Sequence, residues 1–230
     1  MVTRPSHSPP IHLPPLENGD RLSRPEFERR YAASAHVNKA ELIEGIVYVA
    51  SPLRFIPHAE PHGRLATWLG TYAAMTPLVS LGIEPTLRLD LDNEPQPDAV
   101  LRLEESVGGQ SRITETGYLE GTPELVAEIA ASSAAIDLGD KKNAYRRNGI
   151  PEYLVWNVYD NQIEWLHLVE GIYQPLPMAP DGNIHSRVFP GLWLAVDALL
   201  SQDMRAVLTT LQAGLRSGDY QTWAASLTHP

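Results

Sequence analysis

Glu128 is the residue whose position is hardest to explain by packing alone. It sits inside Leu125-Val126-Ala127-Glu128-Ile129-Ala130, a short apolar run of the kind that forms a buried central strand. A carboxylate there carries a large desolvation cost unless it meets a cation, a metal or hydrogen-bond donors. Asp98 opens a second strand after Pro97, in Gln96-Pro97-Asp98-Ala99-Val100-Leu101. Two acids at the start and middle of neighbouring strands can face one cleft. Together they offer oxygen ligands to a hard divalent ion, Mg2+ or Mn2+. Lys141 lies one helical turn beyond Asp137, and Tyr145 one turn further, so the three share a helix face. Entered directly from the Glu128 strand, that helix can overhang the acids.

This set suits phosphodiester hydrolysis. A metal polarises the phosphate and lowers the pKa of a bound water. A lysine offsets the charge that grows on the pentacovalent phosphorus and helps to orient the water. Each residue also has a plainer reading. Glu128 could bridge a buried Arg or Lys. Pro-Asp is common in turns, helices routinely expose lysines, and Asp137 could simply cap its helix.

Other motifs carry less. His58-Ala59-Glu60-Pro61-His62 places two histidines four apart, but Pro61 is expected to interrupt a helix between them, and the order is not that of a zinc protease. Trp165, Trp193 and Trp223 read as core or interface residues. Arg146-Arg147 could contact phosphate or line a solvated helix face. No phosphate-cradling Gly-rich loop is present.

The elements that must position these residues form a mixed order. Residues 1–20 are Pro-rich and read as an extended tail. Ser23-Arg24-Pro25-Glu26 starts a short helix. Residues 41–49 alternate around a central Gly45, as a bent strand or tight hairpin does. Leu65, Leu69, Tyr72 and Ala73 recur at helical spacing between Pro61 and Met75. Strands are predicted over residues 79–83, 86–91, 98–103 and 125–130. A helix over 137–148 is closed by Gly149. Two strands, 152–158 and 162–169, follow and pair through Tyr159-Asp160-Asn161. A helix spans about residues 204–215, with one more near Tyr220. This is an α/β architecture, an α+β mixed sheet with flanking helices rather than regular alternation. The expected division is a tail over 1–20, one domain over 21–200 and a C-terminal helical extension over 201–230.

The chain of 230 residues, 43% apolar and 20% charged, is long enough for one domain with a substantial core. It has no cysteine, which excludes disulfides, thiolate zinc sites and cysteine nucleophiles. No apolar run approaches the ~20 residues that cross a bilayer, and the first residues lack a secretory apolar stretch, so a cytoplasmic location is expected. The net charge of -10 is unlike that of a protein gripping nucleic acid by charge alone. Attraction would have to be local, with a bound cation supplying part of it, or the acidic surface serves solubility.

Taken in order, Glu41-Leu42-Ile43-Glu44-Gly45, Gln96-Pro97-Asp98, Pro123 to Ile129, Ala131-Ser132-Ser133, Asp137 to Lys141, Tyr145, Gly149 to Tyr153 and Phe189-Pro190-Gly191-Leu192 form a spaced series. The series resembles the Uma-type family of restriction-endonuclease-like proteins, a bacterial branch of the PD-(D/E)XK nuclease superfamily, over about Leu22 to Leu200. The resemblance implies a restriction-endonuclease-like core, with Asp98 and Glu128 as metal-binding acids and Glu44 as a supporting acid. It also matches His62 to a histidine near the start of the first long helix. The superfamily lysine two residues after the second acid is replaced here by Ala130. In this branch the lysine stands on the following helix, where Lys141 matches better than its neighbour Lys142. The usual Ser-Pro-Ser after the second acid reads Ala131-Ser132-Ser133.

The leading expectation is a Mg2+- or Mn2+-dependent endonuclease acting on DNA, as a homodimer because a duplex has two strands to cut. Two rivals remain. One is a nuclease-fold module that binds nucleic acid or protein without efficient catalysis, which Ala130 favours. The other is a metal-dependent hydrolase of a small phosphorylated substrate.

Overall fold

The computed structural model describes residues 13–50 and 54–228, so the first part of the expected tail lies outside the described residues. The remainder of that tail runs along the protein: Leu16 is buried, and the Gly19 amide donates to the Val47 carbonyl at 2.8 Å. Helix α1 (Arg24–Ala33) follows, with proline in its first turn, where a missing N–H costs nothing. Strands β1 (Ala40–Ile43) and β2 (Ile46–Val49) form a hairpin in which Ile43 faces Ile46. The turn residues Glu44 and Gly45 have φ of 54° and 73°, the left-handed pair of a two-residue hairpin turn. Of the two sequence readings, the tight hairpin is therefore the one formed.

A π-helical turn (Phe55–Ala59) runs directly into α2 (Glu60–Met75). Pro61 does not interrupt it, because a proline is accommodated in the first turn of a helix. Then come β3 (Val79–Ile83), β4 (Leu87–Arg88) and β5 (Ala99–Leu103). The strand predicted over 86–91 is short because Asp90 closes a turn, its carboxylate accepting from the Asp92 amide at 2.8 Å and the Asn93 side chain at 2.9 Å. Strands β6 (Gln110–Ile113), β7 (Leu119–Thr122) and β8 (Leu125–Ala130) follow. The helix predicted over 137–148 forms as a π turn (Asp137–Lys141) and α4 (Lys142–Arg147), and a short α3 (Ala134–Ile136) precedes it. The chain continues through β9 (Glu152–Asn157), β10 (Gln162–Val169), β11 (Ile172–Pro175), β12 (Ile184–His185) and β13 (Trp193–Leu194). It ends in α5 (Val196–Leu200), α6 (Met204–Gly214) and α7 (Gly218–Thr228).

The main sheet has six strands in the order β11-β10-β9-β8-β5-β3. Its one parallel pair is β8 with β9; the other neighbours are antiparallel. A parallel pair needs a crossover, and here α3, the π turn and α4 supply it. A smaller three-stranded sheet, β4-β7-β6, stands beside it. Strand β8 is buried along its whole length, Glu128 included, as expected of a central strand that is otherwise apolar.

One face of the main sheet, including Ala99, Leu101, Leu125 and Ala127, packs against Leu65, Trp68, Leu69 and Tyr72 of α2. Trp68 and Trp165 meet edge to face at 5.5 Å. Truncating a leucine in this layer, such as Leu69→Ala, falls in the range of about 2–5 kcal/mol for core cavities. The C-terminal helices close over the same core, Tyr220 donating to the Met75 carbonyl at 2.7 Å. Gly214 must lack a side chain there, since a Cβ would lie 2.2 Å from the Gly191 carbonyl oxygen. Trp156 and Trp165 of the strands from 152 to 169 and Tyr220 of α7 are buried within this core. The opposite face carries Val100, Val126, Ala130 and Val155 beneath Tyr145 of α4. No helix among the described residues is long and apolar enough to cross a membrane.

Candidate functional site

The register of β5 and β8 decides which way the two acids face. Ala99 pairs with Ala127, and Val100 with Val126. Side chains alternate along a strand, so Asp98 and Glu128 project to the face of Val100 and Val126, beneath the crossover helix. The structure thus brings both predicted acids to one face of adjacent strands, and both are buried.

The crossover delivers the lysine. Lys141 Nζ lies 3.0 Å from Glu128 Oε1, 2.9 Å from Glu41 Oε1 and 3.5 Å from Asp137 Oδ1. Tyr145 donates its hydroxyl to Glu128 Oε1 at 2.8 Å. The i, i+4, i+8 reading of Asp137, Lys141 and Tyr145 holds across the π turn, and all three are buried. Such turns insert a residue into a helix and recur at functional sites. Asp137 is not the N-cap of its turn: Ile136 and Lys142 flank Asp137–Lys141, and Asp137 Oδ1 is buried with no hydrogen-bond partner.

Glu44 does not join this group. The hairpin turn carries it to the α4 end, where Arg147 grips its carboxylate with two hydrogen bonds. The acid on Lys141 is Glu41, three residues earlier, whose Oε1 also accepts the Gln96 amide at 2.7 Å. Ala40 and Leu42 pack with Phe27 on the other side of β1, which turns Glu41 toward the site. The alternation of that strand was the signal available in the sequence.

The electrostatics are those of an anionic pocket. Burial pushes the Glu128 carboxyl well above the usual range, with Lys141 opposing and Asp137, Asp98 and Glu41 adding to the rise. Burial likewise raises Asp137 against the pull of Lys141. For Lys141, burial acts downward, but Glu128, Glu41 and Asp137 outweigh it and keep the ammonium protonated. Three carboxylates on one ammonium leave the cluster short of positive charge, so it favours uptake of a proton or another cation.

Asp98 forms the second half of the site. Its Oδ2 accepts the Ile129 amide at 2.6 Å, while Oδ1 faces His58 Nε2 at 3.2 Å. That contact is an ion pair out of line for a hydrogen bond, and His58 Nε2 is left without a hydrogen-bond partner. Although burial pushes the Asp98 carboxyl up, His58, the Ile129 amide and Lys141 hold it below the usual range. His62 Nε2 lies 2.9 Å from the Asp98 backbone carbonyl oxygen, so the histidine carried over from the family does reach the site. His58 was discounted in the sequence because of Pro61. The continuous helical path through the π turn brings its ring within 5.8 Å of the His62 ring. Among the described residues, the ligand atoms of His58, His62, Glu84 and Asp98 lie within 4.8 Å of one another, a group that does not include Glu128.

The basic residues of α4 are engaged locally: Arg146 donates to the Gly171 carbonyl at 3.1 Å, and Lys142 lies 3.4 Å from Glu164.

The family model Uma2, described as "Putative restriction endonuclease", matches residues 24–197. The fold is similar to that of a "putative nuclease belonging to DUF820" from Anabaena variabilis, at a TM-score of 0.53 and 13% sequence identity, covering 70% of this chain and 89% of that one. No curated protein matches the chain in sequence.

Proposed function

This chain belongs to the Uma2 family, and from that premise we propose that it is a metal-dependent endonuclease hydrolysing phosphodiester bonds in DNA. The observation that carries the reading is the buried group of carboxylates around a single lysine: Glu41, Glu128 and Asp137 all approach Lys141 Nζ. Asp98 stands on the same face of the adjacent strand. A purely structural ion pair needs one acid, and the surplus fits a site built for a cation. Asp137 Oδ1, buried with no hydrogen bond and only the 3.5 Å approach of Lys141 Nζ, supports the same fit.

Asp98 and Glu128 would hold the ion, and an all-oxygen pair of this kind suits Mg2+ or Mn2+. Bound there, such an ion supplies Lewis-acid activation of the phosphate and of a water. Lys141 keeps its proton and presents positive charge where negative charge grows on the phosphoryl oxygens. Tyr145 and Glu41 position Glu128 and Lys141 through the contacts described above. The Ile129 amide fixes Asp98 through Oδ2 and leaves Oδ1 turned toward His58, which would give it up to an ion. Phosphate contacts by Arg146 and Arg147 would require their release from Gly171 and Glu44.

The test is plasmid cleavage in Mg2+ or Mn2+. Wild type should nick or linearise DNA, and Asp98→Ala and Glu128→Ala should lose at least about two orders of magnitude, as expected for groups acting on the transition state. Equal cleavage by all three would refute the assignment. The same preparation is expected to sediment as a homodimer, two copies serving the two strands of a duplex, and a strict monomer would remove that part. We place the activity in the cytoplasm. A second reading, a nuclease-fold binding module for nucleic acid or protein, is favoured by Ala130 standing where the superfamily lysine usually is. DNA retention without cleavage in either metal would select it.

A further inference from the structure

We propose that His58, His62, Glu84 and Asp98 form a mixed nitrogen–oxygen site for a first-row transition dication of the zinc, iron and manganese class, distinct from the Asp98–Glu128 pair. It shares Asp98 with the nuclease reading and does not depend on catalysis.

Four ligand atoms from these side chains already lie within 4.8 Å of one another. Ligands ~2.0–2.2 Å from a common ion stand roughly 3.3–3.6 Å apart in a tetrahedral set. The 3.2 Å between His58 Nε2 and Asp98 Oδ1 already matches that spacing. His58 Nε2 is buried and makes no hydrogen bond; its one partner is Asp98 Oδ1, so a metal ion would take the place of the proton between two atoms that are already adjacent. Asp98 Oδ2 is occupied by the Ile129 amide, which leaves Oδ1, the oxygen nearest His58, as the ligand atom.

The supports are those a metal site needs. A ligating histidine usually donates its other ring N–H to a carbonyl or carboxylate, which sets its tautomer. His62 meets this condition through the Asp98 backbone carbonyl at 2.9 Å. With Nε2 donating there, Nδ1 keeps its lone pair. The same carbonyl accepts the Glu84 amide at 3.1 Å, tying the exposed acid to the buried one. Burial falls from Asp98 through the half-buried histidines to exposed Glu84, so an ion can enter from solvent. Lys39, 3.5 Å from Glu84, is the resident cation at that edge and would give way.

The donor set decides the metal. Two imidazoles with two carboxylates favour zinc, iron or manganese over Mg2+, which prefers oxygen alone and retains its waters. Co2+ is the probe, because its visible spectrum reports nitrogen ligation directly. Titration of the whole chain should give one Co2+ per chain with visible bands, displaced by Zn2+ and not by equimolar Mg2+. His58→Gln and Glu84→Gln, with unchanged circular dichroism, should each weaken Co2+ binding at least tenfold. Glu128→Gln should leave it unaltered. The proposal is overturned if Co2+ fails to bind, if His58→Gln and Glu84→Gln bind it like wild type, or if Glu128→Gln alone removes it. Absence of DNA cleavage by the wild-type chain in either Mg2+ or Mn2+, with intact Co2+ binding, would defeat the nuclease reading and leave this one standing.

Discussion

Removing the charge of Glu128 and removing that of Lys141 should have opposite consequences for stability, although the two groups touch. Lys141 Nζ is held at 2.9 Å by Glu41, 3.0 Å by Glu128 and 3.5 Å by Asp137. At an effective dielectric of about 20, each such contact is worth on the order of 5 kcal/mol of Coulomb attraction before desolvation. Glu128→Gln forfeits one of them. It also removes the repulsion of Glu128 by Asp137, Asp98 and Glu41 and the several kcal/mol needed to bury one charge. The glutamine oxygen still accepts from Tyr145, and Lys141 keeps two carboxylates. The expected change is within about 1 kcal/mol of zero, since the gains and losses are similar in size. Lys141→Met leaves buried Glu128 and Asp137 and half-buried Glu41 without their cation and should cost about 3–5 kcal/mol at neutral pH. That penalty should shrink as pH falls and the carboxyls take up protons. Urea unfolding followed by circular dichroism, in chelator and in Mg2+, measures both variants. A loss of 3–5 kcal/mol for Glu128→Gln, matching Lys141→Met, would show a simple structural ion pair and refute the surplus-charge argument.

Glu41→Gln should reduce DNA cleavage, because Glu41 positions Lys141, whereas Glu44→Gln should leave cleavage unchanged and cost less than about 1 kcal/mol, as an exposed ion pair does. The reverse ranking in plasmid cleavage would restore Glu44 to the site. Glu152, buried on the opposite face, gives a pH prediction: burial lifts its carboxyl to about 7, against the Arg187 and Val188 amides, the Ser186 hydroxyl and the Trp165 indole. A folded value above the unfolded one means its contribution is full below about pH 4.5 and is lost as pH rises through 7, a fall on the order of 3 kcal/mol. Glu152→Gln should flatten that part of the stability profile, and coincident profiles would contradict it.

Much of the architecture follows from local pattern. The apolar run 125–130 forms the buried strand, and the spacing of Leu65, Leu69 and Tyr72 forms the buried face of α2. Asp98 and Glu128 share a face because strand alternation requires it once β5 and β8 pair. The i, i+4, i+8 relation likewise places Asp137, Lys141 and Tyr145 together. Tertiary structure decided which acid completes the group. Glu41 and Glu44 stand in one short segment, and both are carboxylates. Only the packing of Ala40 and Leu42 against Phe27, with the left-handed turn at Glu44-Gly45, sends Glu41 inward and Glu44 to Arg147. It also decided the role of His58, since the path of the π turn depends on how α2 seats on the sheet. A strand's alternation says that its faces differ, but which face meets the site depends on contacts with residues far away in the chain.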